Sequence, residues 1–291
     1  MIRKKIENLY KEKIDLINEF NKFYYDKNKP KVSDKAYDKL KEEILLLESN
    51  YKFLKSKNSP SINVGYKPSK NFKKAPHRVP MLSLANAFTK EDLINFEKKI
   101  LNFLSKSKDF DLSYSVEPKI DGISASLIYK DGKFKVGLSR GDGKEGEDIT
   151  ANLATIKDIP KKIQSNNFPK DIDIRGEVFI QNSDFENLKE KFANPRNAAS
   201  GSLRQKNPDY TKKIPLRFIA YTFGYEKGLK AKNQIEFLKN LDDWGFKTNP
   251  LNKLVVGVDN LLINYFKIEK ERIKIDFDID GIVYKINDFE L

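Results

Sequence analysis

The sequence predicts an α+β protein in which antiparallel sheets follow a small all-α subdomain. In the first fifty residues, apolar side chains recur every three or four positions, which is typical of amphipathic helices. After residue 112 the apolar period changes to two, and Asp131-Gly132 supplies a hairpin turn between two alternating segments. Hairpins with helices inserted among them favour segregated antiparallel sheets over a parallel βαβ arrangement.

Two helices are predicted in the N-terminal subdomain. The first ends near Pro30, and Ser33 is the expected N-cap of the second. Their apolar stripes are formed by Ile6, Tyr10, Ile14, Ile17, Phe20 and Tyr24, and by Tyr37, Leu40, Ile44 and Leu47. Residues 56–68 are rich in Ser, Asn, Gly and Pro and resemble a linker, so we place a domain boundary between residues 67 and 68.

The rest of the chain is predicted to contain six strands and four helices. The strands are expected over residues 113–117, 124–129, 133–139, 172–180, 216–223 and 281–286. The helices are expected after Thr89, over residues 183–192, around residues 235–243 and over residues 258–271. In the helix after Thr89, one face should be formed by Leu93, Phe96, Ile100 and Phe103. A capping box from Ser183 to Glu186 should begin the next helix, and the following one should stop near Trp244-Gly245.

Composition excludes several classes of function. The net charge of +13 favours a polyanionic partner such as nucleic acid, although a lysine-rich surface without such a partner explains it equally well. With no cysteine and one histidine, His77, the chain cannot form a disulfide framework or a thiolate zinc site, and a Ser-His-Asp triad is disfavoured. No apolar run approaches the roughly 20 residues of a membrane span. The N-terminus does not resemble a signal peptide, so we expect a soluble, cytoplasmic protein.

Five segments combine charged side chains with glycine or small residues. The first places Lys119 near the end of a strand, with Glu117 on the same strand face. Lysine has a pKa of about 10.4, so a nucleophilic lysine needs desolvation or neighbouring cations. The five segments are Glu117-Pro118-Lys119-Ile120-Asp121-Gly122, Ser139 to Asp148, Arg175-Gly176-Glu177, Asn194 to Arg204, and Asp278 to Lys285. Taken singly, each is explained as well by salt bridges, turns or a solvated strand.

Together and in this order, the five segments resemble the motifs of bacterial NAD-dependent DNA ligases, over nearly the whole chain. The N-terminal pattern of Tyr24-Tyr25, Pro30 and Ser33 to Asp38 is similar to the nicotinamide-mononucleotide (NMN)-binding helical subdomain of that family. The resemblance implies a nucleotidyltransferase (ATP-grasp-like) fold, with residues 1–67 as the helical subdomain and residues 68–291 as a C-terminally truncated adenylation domain. In the family a further lysine-bearing strand, an oligonucleotide-binding barrel and a zinc finger follow, so we interpret the chain as an adenylation fragment.

The resemblance also implies a role for each matching residue. Lys119 would attack NAD to form a covalent lysyl-AMP and release NMN, the first step of sealing nicks in DNA replication and repair. Glu117 would bind the adenine edge, Tyr221 would stack on the base, and Lys285 would contact the α-phosphate. The remaining residues expected to bind the dinucleotide are Ser83, Leu84, Arg140 and Glu177 around the adenosine, and Tyr24, Tyr25, Asp34, Lys35, Ala36, Tyr37 and Asp38 around the nicotinamide mononucleotide. Those expected to contact DNA or phosphate are Arg196, Arg204 and Arg272. His77 also matches a family histidine, but we interpret it as structural.

The expected cofactors are NAD and Mg²⁺, with no metal ligand assigned in this chain and zinc only beyond residue 291. The expected partner is nicked duplex DNA, and we expect a monomer that does not bind membranes. Two alternatives remain open. An ATP-dependent ligase or capping-type nucleotidyltransferase would share the residues around Lys119 but not the first 67 residues. A non-catalytic DNA-binding module would keep the pocket without forming an adenylate.

Overall fold

The computed structural model describes residues 2–25, 31–32, 34–54, 59, 72–107 and 110–291. The chain divides into two compact units, one formed by Met1–Ser83 with Arg140–Glu147 and the other by Leu84–Ser139 with Asp148–Leu291. The predicted helix end near Pro30 and the N-cap Ser33 lie outside the described residues, as does the linker apart from Ser59. The boundary between residues 67 and 68 stays a prediction. None of the helices in the described ranges has both the length and the apolar character that a membrane span requires.

The first unit contains a helical hairpin and a small sheet. Helices α1 (Ile2–Tyr25) and α2 (Asp34–Asn50) pack on each other, which confirms the two predicted helices. The core between them is formed by Tyr10, Ile14, Ile17, Leu40, Ile44 and Leu54, so both predicted stripes are largely buried. Strand β1 (Lys74–Pro76) pairs antiparallel with β5 (Glu145–Glu147) in the same unit.

Two antiparallel sheets form the frame of the second unit. In the three-stranded sheet, β2 (Ser113–Ile120) lies between β8 (Lys253–Val256) and β9 (Ile279–Ile286). The four-stranded sheet has the order β4 (Lys133–Ser139), β3 (Ile123–Lys130), β6 (Asp171–Ile180) and β7 (Leu216–Lys227). All of these pairings are antiparallel, which confirms the predicted α+β class. Because only Asp121 and Gly122 separate β2 from β3, the chain passes from one sheet to the other directly after Lys119.

Helices connect and cover the two sheets. They are α3 (Lys90–Phe103), α4 (Thr150–Leu153), α5 (Asn182–Phe185), α6 (Pro195–Leu203), α7 (Pro208–Lys212), α8 (Gln234–Asp243) and α9 (Val258–Glu271). Two 3-10 turns, Glu186–Leu188 and Arg272–Lys274, follow α5 and α9. Thr89 is the N-cap of α3 and forms a capping box with Asp92. The helix therefore begins where the sequence predicted it, directly after Thr89.

Two predictions for these helices are wrong. The capping box from Ser183 to Glu186 does not form, because the backbone N–H and the hydroxyl of Ser183 both donate to Asp276, at 2.9 and 2.6 Å. The helix instead begins at Asn182 and gives way to the 3-10 turn after Phe185, far short of residue 192. Phe103 is exposed rather than part of the apolar face, since it is the last residue of α3, and Leu101 is buried instead.

The core of the four-stranded sheet is rich in aromatic side chains. The buried Tyr129 ring lies 5.7 Å from Phe168 and from Phe246, both edge-on, and Phe168 in turn contacts Trp244 at 4.8 Å. The hairpin between β3 and β4 turns at Asp131 and Gly132, with φ of 49° and 70°. Positive φ at both positions is what a two-residue hairpin turn requires, and it confirms the predicted turn.

Candidate active site

Glu117 is a buried carboxylate on the central strand β2, held by side-chain donors on both oxygens. Ser115 Oγ and Gln234 Nε2 donate to Oε1 at 2.8 and 2.9 Å. Lys285 Nζ donates to Oε2 at 2.7 Å. A buried charge is costly unless it is both paired and hydrogen-bonded, and Glu117 meets both conditions. The carboxylate is therefore fixed in place.

Lys285 links Glu117 to the four-stranded sheet. It lies on β9 opposite Ser115, and its ammonium also donates to the Tyr221 carbonyl at 2.9 Å. The ammonium is 5.4 Å from the centre of the Tyr221 ring. Burial lowers the pKa of Lys285, and the contact with Glu117 opposes that shift.

A β-bulge explains why the Tyr221 carbonyl is available to side chains. On β7, Ala220 pairs with Gly176 and Thr222 pairs with Arg175, so Tyr221 is an extra residue in the ladder. A bulged residue leaves the regular hydrogen-bonding pattern and its side chain is re-aimed. The Tyr221 carbonyl accepts from Lys285 and, at 2.7 Å, from the amide of Gln234.

Lys119 lies two residues from Glu117 on β2 but in a much more open environment. Its Nζ is 2.5 Å from Asp280 Oδ2, and the side chains of Lys119 and Asp280 are 45% and 37% exposed. Asp280 is itself an extra residue, because Lys119 pairs with Gly281 while Ile120 pairs with Ile279. The bulge in β9 thus places a carboxylate beside the lysine amine.

Glu177 lies on β6 close to these groups. The Ser124 hydroxyl donates to its Oε2 at 2.9 Å. Burial raises the pKa of Glu177 to about 7, and Arg196, the Ser124 hydrogen bond and Lys119 oppose the rise. A Cβ on Gly122 would lie 2.4 Å from the Val178 carbonyl oxygen and 2.8 Å from Glu177 Cγ. The turn between the two sheets therefore requires a residue without a side chain.

Arg196 joins the same site from helix α6. Asn194 caps this helix by accepting from the Asn197 N–H, and Pro195 takes the first helical position. Arg196 Nη1 then donates to Asp121 Oδ1 at 2.6 Å. The fourth charged segment is thus a capped helix that brings a guanidinium to the end of the Lys119 strand.

The structure brings six of the predicted residues together in the second unit. They are Glu117, Lys119, Glu177, Arg196, Tyr221 and Lys285. Arg204 and Arg272 are the C-caps of α6 and α9. Leu84 belongs to the same unit and is exposed.

The other predicted residues belong to the first unit. Arg140 Nη2 donates to Ser83 Oγ at 3.1 Å, and the Arg140 carbonyl lies 3.0 Å from His77 Nε2. Tyr37 packs against the hairpin core and its hydroxyl donates to Asn21 at 2.8 Å, while Ala36 is exposed. The side chains that lie outside the described residues are those of Tyr24, Tyr25, Asp34, Lys35 and Asp38.

Five residues that take part in these contacts were not among the predicted site residues, namely Ser115, Asp121, Ser124, Gln234 and Asp280. Asp280 belongs to the fifth segment, where its position before a glycine was the available signal. Ser115 and Gln234 carried no such signal, because a serine on a strand and a glutamine at a helix start are ordinary surface residues. Within the described ranges, no group of three or more His, Cys, Asp or Glu could hold a metal ion.

Sequence comparisons agree with the motifs. Residues 69–291 match the NAD-dependent DNA ligase adenylation domain, and residues 2–65 match the DNA ligase-like, N-terminal NAD+-binding domain. A DNA ligase of Pelagibacter ubique (strain HTCC1062) is 65% identical over 288 residues, which is 99% of this chain and 43% of that protein. A DNA ligase of Bradyrhizobium sp. (strain ORS 278) is 45% identical over 275 residues, 92% of this chain and 38% of that protein.

The chain thus spans about two fifths of the length of these relatives. Among solved structures, a mycobacterial DNA ligase D complexed with ATP and MES is similar with a TM-score of 0.37 and 14% identity. That similarity covers 60% of this chain and 49% of the other, and it is too weak to support any argument. Because the two domain matches cover nearly all of the sequence, the chain belongs to the NAD-dependent DNA ligase family, as its motifs predicted, and carries the NAD+-binding and adenylation domains of that family.

Proposed function

We propose that this chain carries out the first step of DNA ligation, in which AMP is transferred from NAD+ to Lys119 and nicotinamide mononucleotide is released. The observation that carries the proposal is the position of a half-exposed lysine amine, that of Lys119, two residues along one strand from the fixed, buried carboxylate of Glu117. The buried carboxylate can recognise a base, and the open amine can reach a phosphorus atom. The match to an NAD+-binding domain favours NAD+ over ATP as the donor.

In the proposed step, the lone pair of Lys119 Nζ forms a bond to the α-phosphorus. The bond from that phosphorus to the phosphate oxygen of nicotinamide mononucleotide breaks, and its electron pair leaves with that oxygen. The ammonium loses one proton to solvent before attack, and the second proton, released as the nitrogen–phosphorus bond forms, passes to Asp280. Asp280 Oδ2, at 2.5 Å, is within reach of a proton on Nζ.

Lys285 is the proposed source of positive charge beside the α-phosphate. An ammonium has three donors, and two of them reach Glu117 and the Tyr221 carbonyl. A third donor could contact a phosphate oxygen, where a preorganised cation stabilises the charge that develops during phosphoryl transfer. Glu117 would then accept a hydrogen bond from adenine, with Tyr221 against the base and Glu177 near the ribose.

The roles of the remaining predicted residues are supported by their motifs alone. They are Ser83, Leu84 and Arg140 toward the adenosine, Tyr24, Tyr25, Asp34, Lys35, Ala36, Tyr37 and Asp38 toward the nicotinamide mononucleotide, and Arg196, Arg204 and Arg272 toward DNA or phosphate. The boundary between residues 67 and 68 is likewise a proposal, supported by the two domain matches, which meet near it.

A magnesium ion would suit this site if the dinucleotide supplied most of its ligands. Mg²⁺ commonly binds through one or two carboxylates together with substrate phosphates, and Asp280 and Glu177 are carboxylates near Lys119. When bound, the ion would add positive charge next to the α-phosphate.

In a longer ligase, the adenylate would pass to the 5′-phosphate of nicked duplex DNA. A cytoplasmic location and a monomeric state are also parts of this proposal.

The test is intact mass spectrometry after incubation with Mg²⁺ and either NAD+ or ATP. We expect the wild-type chain to gain one AMP from NAD+ and none from ATP. Lys119→Arg, which keeps the positive charge beside Asp280, should gain none, while Lys98→Ala on the exposed side of α3 should behave like the wild type. Adenylation of the Lys119→Arg variant would show that Lys119 is not the nucleophile.

The same measurement separates the alternatives. Adenylation by ATP but not by NAD+ would favour the ATP-dependent class. Tight binding of nicked DNA without any covalent adenylate would favour a non-catalytic module.

A further inference from the structure

Gln234 joins the two sheets of the second unit at Glu117. It is the first residue of α8 and is buried. Its Nε2 donates to Glu117 Oε1 at 2.9 Å and to the Tyr221 carbonyl at 2.7 Å. Glu117 belongs to the three-stranded sheet and Tyr221 to the four-stranded sheet. Both amide protons of one side chain are thus used to hold the two sheets in one arrangement.

The start of α8 is hydrogen-bonded to Asn287, the residue that follows strand β9. The Gln234 N–H donates to the Asn287 carbonyl at 2.7 Å, and the Ile235 N–H donates to Asn287 Oδ1 at 3.1 Å. Asn233 caps the helix by accepting from the Glu236 N–H at 2.8 Å. Because backbone and side chain are both held, the Gln234 amide has little freedom to follow Glu117 if that carboxylate turns.

The hydrogen bonds to Glu117 leave it little acceptor capacity. A carboxylate offers about four acceptor positions. In the described part of the chain, the side chains of Ser115 and Gln234 donate to Oε1 and that of Lys285 donates to Oε2. Oε1 is therefore filled, and Oε2 retains room for about one more donor. A ligand would meet a single acceptor with a fixed direction.

We propose that Gln234 is a positioning residue that sets the purine selectivity of this site, an inference that rests on the proposed function. By filling Oε1 and preventing rotation of the Glu117 carboxylate, Gln234 leaves one acceptor for the exocyclic amine of adenine. A 6-oxopurine presents an oxygen at that position, and two facing acceptors repel each other. Without Gln234, the carboxylate can turn toward the N1–H of a 6-oxopurine. The preference for adenine over a 6-oxopurine then becomes smaller.

The main test compares wild type and Gln234→Met, which keeps the side-chain length and removes the amide. Rates of lysyl-AMP formation are measured against the concentration of NAD+ and of nicotinamide hypoxanthine dinucleotide. We expect the apparent dissociation constant for NAD+ to rise by about tenfold or more, and the preference for NAD+ to fall by about tenfold, since a hydrogen bond to a charged group is lost. The maximal rate with NAD+ should change much less, because Lys119 and Asp280 are untouched.

Asn152 provides a matched control. It is also buried, and its Nδ2 donates to the Gln205 carbonyl and to Thr211 Oγ1, both at 2.8 Å, away from Glu117. Asn152→Leu removes the same number of buried amide hydrogen bonds and should lower stability without changing base preference. Gln234→Asn is a second, milder variant, whose amide is one methylene too short to reach both acceptors.

The outcomes separate this inference from the proposed function. Reduced base preference in Gln234→Met or Gln234→Asn, with Asn152→Leu like the wild type, supports the role of Gln234. Wild-type affinity and base preference in both Gln234 variants would overturn it. A wild-type chain that forms no adenylate from either dinucleotide would contradict the proposed function instead.

Discussion

Two lysine–carboxylate pairs lie along β2 and β9. The distance between the charged atoms is similar in the two pairs, but their environments differ. The Lys285–Glu117 pair has a separation of 2.7 Å with side chains 23% and 5% exposed, whereas Lys119–Asp280 has 2.5 Å with 45% and 37% exposed. The first pair is also held by Ser115, Gln234 and the Tyr221 carbonyl. The second pair lies at a bulge and is exposed to solvent. We refer to Lys285–Glu117 as the buried pair and to Lys119–Asp280 as the open pair. Burial and additional hydrogen bonds, rather than distance, decide which pair is held in one arrangement and which can exchange partners during a reaction.

The largest expected effect on stability comes from breaking the buried pair. Lys285→Met removes the cation and leaves Glu117 buried beside neutral donors, which should lower the free energy of unfolding by about 3 kcal/mol. Urea denaturation followed by circular dichroism measures this change.

Lys119→Met is the matched control, because it removes the lysine of the open pair from the same two strands. Its effect on the free energy of unfolding should stay within about 0.5 kcal/mol. Equal losses in the two variants would contradict the distinction between the pairs.

The sequence was sufficient to predict most of β2, which carries Glu117 and Lys119, although the predicted strand ended at Glu117 and the structure extends it to Ile120. Glu117 and Lys119 lie on one strand face by the alternation of β structure, and the family motifs identified Lys285. The hairpin turn at Asp131-Gly132 was also predictable, since glycine and aspartate tolerate positive φ. These are local patterns, in which a few neighbouring residues determine the outcome.

What the sequence could not show depends on contacts between distant segments. Gln234 is 117 residues from Glu117, and its neighbours in the chain give no reason to place it in a site. The bulges at Tyr221 and Asp280 depend on pairing with other strands. The failed capping box at Ser183 has the same origin, because Asp276 competes for the donors of that serine. Short elements such as α4 and β8 were missed because four residues span only about one helical turn or two strand repeats, which is too few to establish a period.

A smaller effect is expected at Glu177, which is influenced by the open pair. Its pKa in the folded chain is raised to about 7 from 4.5, chiefly by burial. Between these two values the folded state keeps a proton that the unfolded state has lost, so wild-type stability falls as the pH rises from about 4.5 to 7. Glu177→Gln cannot ionise, and its stability relative to the wild type should therefore increase by about 2 kcal/mol across that range.

Urea denaturation of both proteins at several pH values between 4.5 and 8 measures this difference. Ser124→Ala is a useful companion variant, because it removes the hydroxyl that favours the ionised carboxylate and should extend the fall in stability to higher pH. Parallel stability profiles for Glu177→Gln and the wild type would show that Glu177 is hydrated like an ordinary surface carboxylate.

The smallest effect on stability should follow Asp280→Asn, because exposed ion pairs contribute little. We expect a loss of about 0.5 kcal/mol or less in the free energy of unfolding, diminishing further at high salt. Glu186→Gln is the matched control, since Glu186 pairs with Lys189 at 2.6 Å and both side chains are exposed. The two variants should be equally stable, yet lysyl-AMP formation should slow by about a hundredfold only in Asp280→Asn, because that variant lacks a proton acceptor beside Nζ. If Asp280→Asn instead lost stability like Lys285→Met, or adenylated at the rate of Glu186→Gln, the open pair would not have the role that its exposure indicates.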